Sequence, residues 1–364
     1  MLALAMSTSA LAAGSKLPDR ILIVVSGEGR DQGKTRPGYE MDELSQAWAI
    51  FRDNGFDVHI ASPKGGAVEA GKYDPTHPAN ARLLADAAAM RELAATRATS
   101  ALKAEDYAGV FVVGGKGAMF DLPKDKALTT LIGRIHDHGG VVSAVCHGPA
   151  ALVDVRTADG KLLVANRAVN GFSNEEEAIF GKQWAKDYAF RIEDAMRERG
   201  ARWEEAPLML PHVAIDGRLI TGQNPYSTTG VAEAVVRATR RTPVARVPDR
   251  DERSMALVQR LLHGDADGAR KALAASPADF HVELVALLGY YQAKSASDDD
   301  ALRKALSLMQ LARPHYSAPE LDLGMAEAHL RLKQHDDARR LVEGVLATKP
   351  DLAEAKALLA KIPQ

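Results

Sequence analysis

Between residues 20 and 240 the chain alternates short, unbroken apolar runs with longer stretches in which apolar residues recur every three or four positions. The runs Ile21–Val25, Asp57–Ala61, Gly109–Val113 and Val141–Val145 show little in/out alternation, as expected of strands covered on both faces. Between the first two, Met41 to Asn54 places Leu44, Ala47, Trp48 and Phe51 at helical spacing and stops at Gly55, a common helix terminator. Arg218–Thr221 closes the series, and a helix over Ser227–Arg237 follows. Short βα units in this order predict an α/β domain over 20–238. Its sheet is expected to be doubly wound and mostly parallel, with helices on both faces in a flavodoxin-like arrangement. Ligands of such sheets sit outside the carboxyl ends of the strands.

The pattern changes after residue 238. Residues 239–253 are rich in charge, contain Pro243 and Pro248 and have no apolar period, so they read as a linker. Residues 254–364 are helical in pattern throughout. Pro277, Pro314 and Pro350 lie 37 and 36 residues apart, each just after an Ala/Leu-rich amphipathic stretch. The last unit, Ala326 to Pro350, resembles a tetratricopeptide repeat: Ala338 is the small residue opening its second helix, and the proline closes it. The spacing is close to the ~34 residues of that repeat. An all-α domain of helical hairpins is therefore expected. The resemblance implies a protein or peptide partner for this tail.

Composition narrows the function classes. The 364 residues carry a net charge of −2, with 46% hydrophobic and 5% aromatic residues. That balance argues against a nucleic-acid partner. No apolar run reaches the length of a membrane-spanning helix. Residues 1–13 are small and apolar, with Ala10-Leu11-Ala12 near the end and no charge before Lys16. They read as a secretory signal peptide without a basic start, which predicts a periplasmic or secreted protein, or a cytoplasmic one if the segment is no signal. Cys146 is the only cysteine, so no disulfide forms within the chain, and an unpaired cysteine in an exported protein flags a reactive thiol.

That cysteine sits between the apolar run Val141–Val145 and Pro149–Val153, which reads as the first turn of a helix. A residue at such a strand-to-helix turn is pushed off the top of the sheet, and Gly148 relieves the crowding. Nearby backbone N–H groups can hold an oxyanion, and a helix start favours a thiolate. Three glycines follow the third strand, at Gly114, Gly115 and Gly117. The N–H groups around Gly115 and Lys116 are placed to join that of His147 as an oxyanion hole. Glu40, Asp42 and Glu43 fall at the start of the first helix; capping accounts for Glu40 and Asp42, whereas Glu43 is expected to meet the Cys146 sulfur. Ser173-Asn174 precedes three acids, Glu175 to Glu177, which suit a helix start and of which one can orient an imidazole. Asn224, in the turn Thr221–Pro225, lines a pocket or caps the following helix. His136 and His138 read as solvated surface residues rather than metal ligands.

These segments, Gly38 to Glu43, Ala61 to Gly66, Gly114 to Pro123, Ala144 to Pro149, Gly171 to Glu177 and Asp216 to Pro225, resemble in order and spacing the ThiJ/PfpI superfamily, also called class I glutamine amidotransferase-like. The similarity is greatest to its chaperone/glyoxalase III branch. The resemblance implies that Cys146 is the nucleophile, His147 the general acid/base and Glu43 the partner of the thiol. Glu177, six residues after Gly171, matches the acid that orients the histidine. The family turn usually reads Gly-Gly-His-Gly, whereas this chain has Lys116 in the histidine slot.

Enzymes of this branch resemble glutathione-independent glyoxalases that convert methylglyoxal and water to lactate. The resemblance thus implies a cysteine-dependent lyase or hydrolase acting on small reactive aldehydes, with no metal or redox cofactor, and allows a homodimer. Two alternatives remain, the first implied by the resemblance and the second by the same thiol and base. One is a stress-related holding chaperone or cysteine oxidation sensor, for which a low-pKa, accessible thiol is expected. The other is a cysteine peptidase or amidase. The pair His281 and Glu283, which a glutaminase triad would use, lies beyond the linker and is read as coincidence.

Overall fold

The computed structural model describes residues 17–181 and 183–363; the segment 1–13 read as a signal peptide lies outside them. Among the described residues nine strands form in chain order: β1 Arg20–Val24, β2 Asp57–Ser62, β3 Arg97–Ala98, β4 Gly109–Val112, β5 Val141–Val145, β6 Ala168–Val169, β7 Arg202–Trp203, β8 Val213–Asp216 and β9 Leu219–Gly222. Seven make one sheet in the order β3-β2-β1-β4-β5-β9-β8, and β6 pairs with β7 in a separate ribbon. Every pairing is parallel except β8 with β9. This is the doubly wound, flavodoxin-like architecture expected. The strand order reverses between β1 and β4, so the carboxyl ends of β1, β4 and β5 open onto one crevice.

Around the sheet lie α1 Met41–Asp53, α2 Pro78–Ala85, α3 Ala87–Ala94, α4 Ala118–Asp121, α5 Lys126–Asp137, α6 Asn174–Phe180, α7 Ile192–Glu198 and α8 Thr228–Ala238. The core is built from fully buried strand residues such as Ile21, Leu22, Ile23, Val110 and Phe111, closed by Leu44, Phe51 and Ile132 from the helices. The hairpin β8–β9 is longer than the single run expected at Arg218–Thr221. Gly217, with φ +63°, makes its tight turn. His136 departs from the surface position expected of it. The end of α5 is covered, so that His136 is buried, with Nε2 3.1 Å from Arg167 Nη1 and its carbonyl accepting from Arg218 Nη1 at 2.6 Å. His138 is exposed.

The segment after α8 is a strap. The Arg241 guanidinium lies 3.9 Å above the Phe56 ring and donates to the Asn54 carbonyl at 2.8 Å. Arg246 bridges Glu233 and Glu252. The helical tail begins earlier than the pattern suggested, because Asp249 and Glu252 form a capping box. It comprises α9 Arg250–Leu262, α10 Ala266–Ala275, α11 Val282–Ser295, α12 Asp299–Ala312, α13 Pro319–Arg331, α14 His335–Thr348 and α15 Ala353–Leu359. Each of the three spaced prolines follows a helix end. Ala338 lies one turn inside α14 and is fully buried. No helix among the described residues is long and apolar enough to cross a membrane.

Leu210 belongs to the same apolar cluster as Met255, Leu284 and Leu288 of the tail, and Met209 and Tyr226 pack against it. Gln292 Nε2 donates to the Leu208 carbonyl at 2.9 Å. The tail's apolar core therefore takes in a loop of the α/β domain.

A methyl group on Gly148 would overlap the carbonyl of Val112 at the end of β4. Gly148→Ala is expected to destabilise the protein by ~1–3 kcal/mol in chemical denaturation, as for an overpacked core. Gly344→Ala, in α14 with open space around it, is expected to shift stability in the opposite direction by ~0.5–1 kcal/mol.

Candidate active site

Cys146 follows β5 directly and adopts φ +58°, a left-handed conformation that costs a side-chain-bearing residue free energy. Two backbone bonds hold it there. Its N–H donates to the Gly222 carbonyl at 2.9 Å, and its carbonyl accepts from the Phe172 N–H at 2.8 Å. Beyond it, where the first turn of a helix was expected, Gly148–Leu152 coils as a 3-10 helix.

The sulfur lies between two groups from different parts of the chain. His147 Nδ1 is 3.3 Å from Cys146 Sγ, and His147 Nε2 is 2.9 Å from Glu177 Oε2. Glu177 accepts from Nε2–H, which leaves the Nδ1 lone pair facing the sulfur. Phe172 stacks on the imidazole with centroids 4.4 Å apart. On the other side, Glu43 from α1 is fully buried; its Oε2 accepts from the Gly114 N–H at 2.6 Å, and the carboxyl is in hydrogen-bonding contact with the thiol. Its Oε1 has no nitrogen or oxygen partner among the described residues.

Helix phase separates the consecutive acids of α6. Glu176 completes a capping box with Ser173 and also accepts from Asn224 Nδ2 at 2.9 Å, while Glu177 points the other way to the imidazole. Both roles expected of this acid cluster are therefore present. Glu40 makes no side-chain cap of α1, contrary to expectation; its backbone N–H instead donates to the Gly114 carbonyl. Asp42 accepts from Asn80 rather than from the helix start.

The electrostatics depart from the accessible, readily ionised thiol expected. Cys146 is 3% exposed. Burial, then the neighbouring Glu43 carboxylate, push the thiol well above its ordinary value, and the Gly115 N–H opposes them. Burial and the charge of Glu40 likewise hold the Glu43 carboxyl well above the usual carboxylate range. The two groups titrate as a pair. With Glu43 neutral, the repulsion that opposes a thiolate disappears and the carboxyl becomes a donor to sulfur.

Cys146 and His147 open onto a cavity of about 590 Å³ that is also lined by Gly115, Lys116, Glu40 and Asn224. Cys146, His147, Glu43, Glu177, Gly115, Lys116 and Asn224 thus meet at this site or its wall. Gly115, with φ +81°, turns its N–H toward the sulfur. The His147 N–H makes no backbone hydrogen bond among the described residues. Lys116 Nζ reaches across to the Phe180 carbonyl at 2.6 Å, at the carboxyl end of α6, where a cation is favoured. Asn224 Nδ2 bonds the Leu210 carbonyl as well as Glu176, so it braces the wall. Sequence reasoning missed Phe172 and Tyr188, whose buried hydroxyl has no partner among the described residues and whose ring centroid lies 6.1 Å from that of His147. A lone aromatic residue carries no chemical signature in a sequence.

Residues 35–238 match the DJ-1/PfpI family and residues 297–362 match a tetratricopeptide repeat. The chain belongs to the DJ-1/PfpI family and carries a tetratricopeptide-like region at its carboxyl end. It is 28% identical over 220 residues to the glutathione-independent glyoxalase hsp3101 of Schizosaccharomyces pombe, covering 55% of this chain and 86% of that protein. It is 30% identical over 247 residues to the glutathione-independent glyoxalase HSP31 of Saccharomyces cerevisiae, covering 59% and 95%. The crystal structure of glyoxalase III from Candida albicans superimposes with a TM-score of 0.56 at 26% identity, covering 60% of this chain and 96% of that one.

Glu40, in the cavity wall, has its pKa raised to about 7 by desolvation and by Asp42, with Lys116 opposing. A carboxyl raised on folding favours the native state only while protonated. Its contribution is full below the usual carboxylate range, is lost as pH rises towards about 7 and changes little above that. Glu40→Gln is expected to match the wild type in thermal midpoint near pH ~4 and to exceed it at pH ~8.

Proposed function

We propose that the chain is a glutathione-independent glyoxalase that works through Cys146, converting methylglyoxal and water to lactate. The observation that carries this reading is the Cys146 sulfur, held between His147 Nδ1 and the Glu43 carboxyl at the floor of an open cavity. The named glyoxalase activity of the relatives supports it.

In the proposed reaction His147 Nδ1 takes the thiol proton, and the imidazolium is stabilised by Glu177. Sulfur attacks the aldehyde carbon, forming a C–S bond. The oxygen becomes an oxyanion within reach of the Gly115 and His147 N–H groups and collects a proton to give a hemithioacetal. His147 then removes the hydrogen on that carbon, giving an enediol, and the proton is returned to the neighbouring former ketone carbon. The aldehyde carbon is thereby oxidised to a thioester and the ketone carbon reduced to an alcohol, so no external oxidant or reductant enters. Water breaks the C–S bond, releasing lactate and the thiol. Neutral Glu43 donates a hydrogen bond to sulfur whenever it is anionic, before the attack and again as it leaves the thioester carbon, and the imidazolium returns the proton that restores the thiol.

The tetratricopeptide region leaves room for a protein partner, which this chemistry does not require. With methylglyoxal and no glutathione, the purified protein is expected to form lactate. Cys146→Ala should abolish turnover, and Glu43→Gln and Glu177→Ala should each lower kcat by ~10²-fold or more, the scale of a lost proton-transfer group. Lactate formation that survives in Cys146→Ala would refute the mechanism.

A further inference from the structure

The cavity is far larger than a three-carbon aldehyde needs. About 590 Å³ lies open above the sulfur, within the ~300–1,000 Å³ range of sites that bury a drug-sized ligand. Its lining includes the charged side chains Glu40 and Lys116. It also includes an apolar wall of Phe180, Trp184, Met209 and Tyr226, continued by Phe172 beside the imidazole. Aromatic rings and a thioether together favour a flat, polarizable group over a methyl.

Phe180, Met209 and Tyr226 of this wall pack against the helical tail. The Phe180 ring meets Tyr291 of α11 edge to face, with centroids 5.1 Å apart. Met209 adopts φ +64° and is flanked by Leu208, whose carbonyl is bonded by Gln292, and by Leu210, which sits in the tail's own core. Lys116 Nζ also holds the Phe180 carbonyl. The relatives described above align with only 55–60% of this chain.

Resting on the glyoxalase reading, we propose that the preferred substrate is an α-oxoaldehyde whose ketone carries an aryl-sized apolar group, seated on a wall that the tail holds in place. The chemistry is unchanged: sulfur adds to the aldehyde carbon, the hydrogen moves to the ketone carbon, and water releases a 2-hydroxy acid.

The test compares methylglyoxal with phenylglyoxal, whose product is mandelate, on the full chain without glutathione. The expected result is a kcat/KM at least ~10-fold higher for phenylglyoxal, carried by KM, as burial of added apolar surface allows. Tyr291→Ala, outside the cavity on the half-exposed face of α11, should raise KM for phenylglyoxal by ~5-fold or more while leaving methylglyoxal turnover within ~2-fold. Turnover of methylglyoxal with equal or poorer use of phenylglyoxal overturns this inference and leaves the glyoxalase reading intact. Turnover of neither aldehyde sinks that reading and this one with it. An equal effect of Tyr291→Ala on both substrates overturns the role given to the tail.

Discussion

The left-handed turn at Cys146 is the constraint on which the site depends. A residue with a side chain resists that conformation, and here it is imposed by bonds from two other segments, Gly222 on β9 and Phe172 before α6. The turn lifts sulfur off the sheet and brings the next side chain, His147, alongside it. Close passage of the following glycine beneath the end of β4 then sets the distance to the Gly114–Gly115 loop. Buried carboxyls are tolerated around this point because Gly114 and His147 each satisfy one oxygen.

The parts of the fold that were legible are those with a strong periodic signal. β1, β4 and β5 are buried on both faces and so read as unbroken apolar runs. β8 is an edge strand that leaves Ile215 57% exposed, and β3, β6 and β7 contribute two residues each; none has enough apolar sequence to announce itself. At the site, Cys146, His147 and Glu43 stand on recognisable turns. Which of Glu175, Glu176 and Glu177 faces the imidazole is a matter of helix phase, which capping chemistry alone does not determine. The reach of Lys116 to the Phe180 carbonyl and the contact of Phe180 with Tyr291 depend on tertiary packing across long stretches of chain, and no local pattern encodes them.

The thiol illustrates the same limit. A cysteine at a strand-to-helix turn suggests easy ionisation, yet the turn also drives it into a dry environment beside two acids. Burial and like charge outweigh the single N–H from Gly115. The outcome is a sulfur whose reactivity is conditional on where the shared proton sits, which suits a nucleophile that must be released after each cycle better than a permanently exposed thiolate.

Glu176 and Glu177 are neighbours in sequence with opposite allegiances. Glu177 holds the imidazole. Glu176 holds Asn224, which in turn bonds the carbonyl of Leu210 inside the tail's apolar cluster. One peptide unit thus joins the reacting centre to the second domain, so the boundary visible in composition near residue 238 is not the boundary of a modular part. A chain cut there would keep its sheet and its nucleophile but present Leu210, Met209 and Tyr226 to water, and the cooperative unit would lose a face rather than an appendage.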